Sequence, residues 1–173
     1  MGDDRKTCIQ NNKPCPGAFG ISDNPKASGA EPRIEWARFS QVNANSAIIE
    51  KVAAEKKVDA RLIKAIMYME TTHGYYDAPL DLIGKNKSIR PMNINVDFWG
   101  TTFGTRDDMK DPEKNIRAGV DMIQRIQANV PGASIEKVAT LYNNIKAITV
   151  SDYGARVKKI YDDQPWIAKD GGN

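Results

Sequence analysis

Cysteine and histidine are scarce in this chain, with two of the former and one of the latter among 173 residues. A structural zinc site takes four Cys or His ligands and a catalytic one three protein ligands, so Cys8, Cys15 and His73 do not form a zinc set; no metal and no cofactor are expected. Long apolar runs are missing as well. No stretch approaches the ~20 apolar residues of a membrane span, and the opening Met1-Gly2-Asp3-Asp4-Arg5-Lys6 has no apolar core of a signal peptide. Membrane insertion is therefore not expected. A cytoplasmic protein, a substrate of a dedicated export machine, and a piece of a longer protein are the three readings that fit. Clusters of one charge sign are absent too. The net charge of +3 and a pI near 8.8 suit an acidic polymer, but the basic residues are scattered and leave no nucleic-acid footprint. No repeat, heptad array or strand alternation is visible.

What is present is enough for one globular domain, since a chain of this length can bury roughly 70% of its unfolded surface. Residues 1–33 are rich in Gly, Pro, Asn, Asp and Lys, with Ile9, Phe19 and Ile21 keeping no period; they read as an irregular lead-in or linker. Within them Cys8 and Cys15 flank a turn-like stretch containing Asn11, Asn12 and Pro14. Either they close a small disulfide loop in an oxidising compartment or they are two unpaired thiols. Compact structure is expected over residues 34–165, starting with Ile34, Trp36, Phe39 and Val42, and residues 166–173 read as a frayed tail.

Helical periods dominate that body. Asn45 or Ser46 caps a first helix with Ile48, Ile49, Val52 and Ala53 inward, ending near Lys57. Asp59 caps a second, in which Leu62, Ile63, Ile66 and Met67 share a buried face. Asp111-Pro112-Glu113 reads as cap, first-turn proline and acid at the positive end of a third, with Ile116, Val120, Ile123 and Ile126 inward. Ser134 caps a helix carrying Val138, Leu141 and Tyr142, and Ser151 caps a last one carrying Tyr153, Val157, Ile160 and Tyr161. Between Tyr75 and Asp111 periodicity is lost. Pro79, Gly84, Pro91, Gly100 and Gly104 punctuate that segment, which is too long for a mere connector and holds aromatics suited to a cleft.

One residue on the second helix is out of place. Glu70 falls on the apolar face four residues after Ile66, in the last turn before Gly74, where unpaired carbonyls form a negative helix end. Burial and the dipole both disfavour its ionised form and predict a raised pKa, as a general acid requires. The alternative is an edge position with the stem on the core and the carboxylate in water.

Further landmarks follow in order: Glu70-Thr71, then Arg90-Pro91-Met92-Asn93, Asn115-Ile116-Arg117-Ala118-Gly119, Leu141-Tyr142-Asn143 and Tyr153-Gly154. This series resembles the soluble lytic transglycosylase and goose-type lysozyme superfamily, over about residues 45–161. The resemblance implies a mainly α-helical, lysozyme-like domain with a long irregular segment lining a cleft. It implies cleavage of the β-1,4 bond between N-acetylmuramic acid and N-acetylglucosamine, with Glu70 as the general acid. Thr71 stands for the usual Ser, Met92-Asn93 for Met-Gln, and Tyr142-Asn143 for the Tyr-Asn pair, while Tyr153 matches a tyrosine near the acid. Tyr142 is thereby a catalytic candidate, and Thr71, Met92, Asn93, Asn143 and Tyr153 are substrate-binding candidates; core packing with a satisfied hydroxyl is the alternative for both tyrosines. His73 suits a cap or a solvent-facing position better than a catalyst.

The class of product depends on the opposite face of the sugar. An inverting hydrolase needs a second carboxylate about 6.5–9.5 Å away, for which Asp77, Asp81 and Asp97 are candidates that also suit turns or caps. A lytic transglycosylase needs none. The expected partner is the peptidoglycan glycan strand, with an immunity or inhibitor protein as a candidate second one, and the expected state is a monomer. The resemblance to cell-wall-degrading domains of secreted or phage-borne proteins implies action in the bacterial periplasm or cell wall after delivery by a secretion system or as part of a longer chain. A non-catalytic glycan-binding or scaffold domain of the same fold is the rival.

Overall fold

The computed structural model describes residues 2–30, 41–72 and 88–167. Eight α-helices and one short hairpin are seen among them: α1 (Gly2–Gln10), α2 (Gln41–Ala44), α3 (Ser46–Lys56), α4 (Ala60–Thr72), β1 (Ser88–Ile89), β2 (Ile94–Asn95), α5 (Val96–Trp99), α6 (Pro112–Asn129), α7 (Ile135–Asn143) and α8 (Asp152–Asp163). The protein is thus mainly helical, as its periodicity predicts. No helix among the described residues is long and apolar enough to cross a membrane.

The capping residues explain where the long helices start. Asp59 Oδ1 accepts the Arg61 amide at 2.9 Å, Asp111 accepts from Lys114, Ser134 from Lys137 and Ser151 from Gly154. Each satisfies one of the amides that a first helical turn leaves without a partner. At the other end of α3, Lys57 takes the left-handed conformation that terminates the helix.

Helix α4 is more deeply placed than its stripe alone suggests. Ala65, Tyr68 and Met69 are buried along with Leu62, Ile63, Ile66 and Met67, because α2, α3 and α8 all pack around it. Burying one Leu- or Ile-sized side chain stabilises by about 1.5–3 kcal/mol, so this helix is the apolar axis of the domain. Its negative end is therefore presented to whatever packs beyond Thr72.

Residues 2–30 depart from the irregular lead-in expected of them. They form α1 and a 3-10 turn at Pro16–Ala18, joined by a Cys8–Cys15 disulfide, and Ile9 and Phe19 lie in the core. Arg5 is buried and donates to four carbonyls: Nε to Ala18 at 2.7 Å, Nη2 to Gly20 at 2.8 Å, and Nη1 to Ile145 at 2.9 Å and Ala147 at 2.7 Å. Further on, Ser22 forms a parallel bridge with Thr149, and the Ser28 amide donates to Asp152. The segment runs as a strap from α1 to α8. The tail also begins later than expected, since Trp166 is buried and its ring lies 6.2 Å from that of Tyr68. Ile34, Trp36, Phe39 and residues 168–173 lie outside the described residues.

Two glycines set how closely elements approach. A Cβ on Gly119 would stand 2.7–2.8 Å from the Met92 side chain, so only glycine lets the hairpin turn rest on α6. A Cβ on Gly154 would collide with Thr140 Oγ1 and the Glu136 carbonyl, and α7 and α8 pack together there.

Candidate active site

Glu70 stands in the last turn of α4, with only 8% of its surface exposed. It lines a cavity of about 420 Å³, within the range of small-molecule sites. Around it are the side chains of Asn93, Asn95, Phe98, Trp99, Met122, Tyr142, Asn143, Asn144, Ile145 and Lys146. Among these described lining residues Glu70 is the only carboxylate and Lys146 the only cation.

Both carboxyl oxygens have donors. Asn93 Nδ2 reaches Oε1 at 3.0 Å, and the Tyr153 hydroxyl reaches Oε2 at 2.7 Å. The Glu70 backbone carbonyl, one of those that a helix C-terminus leaves without an intrahelical partner, accepts from Arg90 Nε at 2.8 Å. A guanidinium here also complements the negative end of α4.

The hairpin that carries Asn93 and Arg90 is held from behind. Its antiparallel strands pair Ser88 with Asn95 and Ile89 with Ile94, leaving Arg90-Pro91-Met92-Asn93 as the turn. Asn93 has φ 59°, in the left-handed region that Asn tolerates better than most residues. Fully buried Asn115 on α6 accepts the Met92 amide at 2.8 Å and donates to the Met109 carbonyl at 3.0 Å. The Met92 carbonyl accepts from the Tyr142 hydroxyl at 2.6 Å. Desolvation first, and then the charge of Glu70, push the Tyr142 hydroxyl well above the usual tyrosine range, so it is a neutral donor at ordinary pH.

The site candidates thus divide. Glu70, Asn93, Tyr142 and Asn143 line the cavity, and Tyr153 touches Glu70 directly. Tyr153 donates to the Glu70 carboxyl, whereas Tyr142, which lines the cavity, uses its hydroxyl to hold the turn. Met92 is fully buried on Gly119 and does not line the cavity. Thr71 is absent from the lining also, because its hydroxyl bonds back to the Met67 carbonyl at 2.8 Å. Asp97, a candidate second carboxylate, instead occupies the exposed first turn of α5 and pairs with Arg106 at 2.9 Å. Asp77, Asp81 and His73 lie outside the described residues.

Three participants were not singled out in the sequence. Arg90 stood there only within the Arg90-Pro91-Met92-Asn93 landmark, and its distance in sequence from the end of α4 hid its bond to the Glu70 carbonyl. Asn95 caps α5 by accepting from the Phe98 amide at 3.0 Å. Lys146 had no local mark at all. Among the described residues no group of three or more His, Cys, Asp or Glu could hold a metal ion. Comparison of the chain with protein-family models, curated proteins and solved structures finds no match.

Proposed function

We propose that this chain cleaves peptidoglycan glycan strands at the β-1,4 bond between N-acetylmuramic acid and N-acetylglucosamine, on a lysozyme-like helical fold, in the bacterial periplasm or cell wall. The observation that carries the proposal is the Glu70 carboxyl: buried at the end of a helix with an almost wholly apolar core face, open to a cavity, and oriented by Asn93 and Tyr153. Glycosidic cleavage needs a positioned proton donor at the leaving oxygen while positive charge develops on the sugar. Glu70 supplies that proton and then carries the complementary negative charge, which the two donors stabilise. The amides of Asn95, Asn143 and Asn144 suit the hydroxyl and acetamido groups of a sugar strand, and Trp99 and Phe98 offer apolar ring faces.

A second reading is a glycan-binding domain without catalysis. The same two donors favour it, since hydrogen bonds onto both oxygens also suit a carboxylate that never gives up a proton. Turbidity clearing of purified sacculi separates the readings. Wild type is expected to lyse them, and Glu70→Gln, which keeps shape and loses the proton, to be slower by about 10²–10⁴-fold. Equal lysis by both removes Glu70 from the reaction, and binding without lysis by wild type leaves the second reading. Mass spectrometry of the released sugar ends then assigns the class: an anhydro end marks a transglycosylase, a reducing end a hydrolase.

A further inference from the structure

The lysine at the cavity is one of those that make no ion pair among the described residues. Lys56, Lys64, Lys114, Lys158 and Lys159 all sit in ion pairs, whereas Lys146 makes none among the described residues and is exposed. Its backbone is fixed on every side. The Lys146 amide donates to Asn144 Oδ1 at 3.0 Å, and the carbonyls of Ile145 and Ala147 are taken by Arg5. Ile145 is buried. A backbone held by these hydrogen bonds thus sets Lys146, the single cation among the described lining residues, at a cavity otherwise lined, apart from Glu70, by neutral side chains. One residue after Arg5, Lys6 brings a second cation 4.6 Å from the centre of the Phe98 ring, which lines the same cavity, and Lys6 too has no carboxylate partner among the described residues.

We propose that Lys146, with Lys6 over the Phe98 ring of the same cavity, binds a carboxylate of the substrate, so that the site selects a carboxylate-bearing glycan over a neutral one. The inference rests on the glycan reading above. In such a polymer the carboxylate comes from the peptides attached to the sugars or, once these are removed, from the lactyl group of the muramic acid. An amide-lined site alone would accept a neutral N-acetylglucosamine oligomer equally well. The ammonium group adds the discrimination.

The test uses the full chain carrying Glu70→Gln, so that binding is read without turnover. Dissociation constants are measured for peptide-bearing strands, for strands stripped of peptide by an amidase, and for neutral N-acetylglucosamine oligomers of equal length. A further Lys146→Gln change is expected to weaken carboxylate-bearing ligands about 3- to 5-fold, the scale of one exposed ion pair. Lys146→Glu is expected to weaken them more, and neither change to alter the neutral oligomer. The difference is expected to fade near 1 M salt, where the screening length is about 3 Å. Sensitivity of the peptide-bearing strand alone assigns the peptide as the source, and sensitivity of the stripped strand alone assigns the lactyl group. Equal weakening of all three ligands, or of none, overturns the proposal while leaving lysis of sacculi by wild type intact. Failure to bind any of the three, with no lysis, overturns the glycan reading and this inference together.

Discussion

Around Glu70 the wall that carries Asn93 is held from behind by neutral groups, whereas the wall that carries Asn144, Ile145 and Lys146 is held by a buried cation. Behind the first stand Asn115, the Tyr142 hydroxyl and the bare face of Gly119. Behind the second stands Arg5, which reaches from α1 across 140 positions of sequence to the Ile145 carbonyl. The groups behind the neutral wall desolvate no charge, and Asn115 and Tyr142 hold it through hydrogen bonds to the Met92 amide and carbonyl. The charged wall takes a guanidinium out of water and offsets that cost with four carbonyl dipoles, joining parts of the chain that no local pattern relates. Burial lowers the pKa of Arg5, but an arginine remains charged in proteins, so this brace does not release on any ordinary change of pH.

The contrast breaks most sharply at Asn115. Asn115→Ala strands the Met92 amide and the Met109 carbonyl in a fully buried place, at about 1–3 kcal/mol for each. Denaturant unfolding is expected to show a loss of about 3 kcal/mol, and hydrogen exchange to rise at residues 90–95 while residues 144–148 keep their protection. Arg5→Met retains the apolar stem and removes all the donors. A loss of about 2 kcal/mol is expected, smaller because carbonyls near the surface regain water, with the exchange pattern reversed. If the walls are independent, the double variant is additive within about 0.5 kcal/mol; a larger coupling shows one network.

The smallest effect sharpens the neutral side. Tyr142→Phe removes the bond to the Met92 carbonyl, worth about 1 kcal/mol. Because the Tyr142 pKa is raised in the folded state, its contribution is complete below the unfolded tyrosine value of about 10 and is lost as pH rises toward the folded value. Wild type is therefore expected to lose stability above about pH 10, and Tyr142→Phe to lose less over the same range. Chemical denaturation at stepped alkaline pH measures both slopes.

These walls also show why some of the molecule is readable from sequence and some is not. A capping side chain acts within three or four residues, so Asp59, Asp111, Ser134 and Ser151 mark real helix starts. Glu70 stands out because its polarity conflicts with its neighbours, whereas the part of Asn115 and Gly119 behind the turn depends on the hairpin that packs on them. In residues 2–30 the one local mark is the Cys8–Cys15 spacing, which does close a disulfide; Arg5 and the pairing with Thr149 and Val150, which order the rest, need the finished fold. Asp97 misleads for the opposite reason, because Arg106 and the start of α5 satisfy it locally. The Thr71 hydroxyl is taken by its own helix, and the partners of the two phenols, the Met92 carbonyl for Tyr142 and the Glu70 carboxyl for Tyr153, are set by how α7 and α8 pack.

Gly154 never touches Glu70, yet its neighbour Tyr153 does. The absent methyl acts as a shim of zero thickness between α7 and α8: it fixes how far the shoulder bearing Tyr153 leans toward the carboxyl. A lining of any greater thickness there would lengthen the phenol's reach to Oε2 and leave every atom of the cavity chemically unchanged, so the tuning of the acid is housed in a joint remote from it.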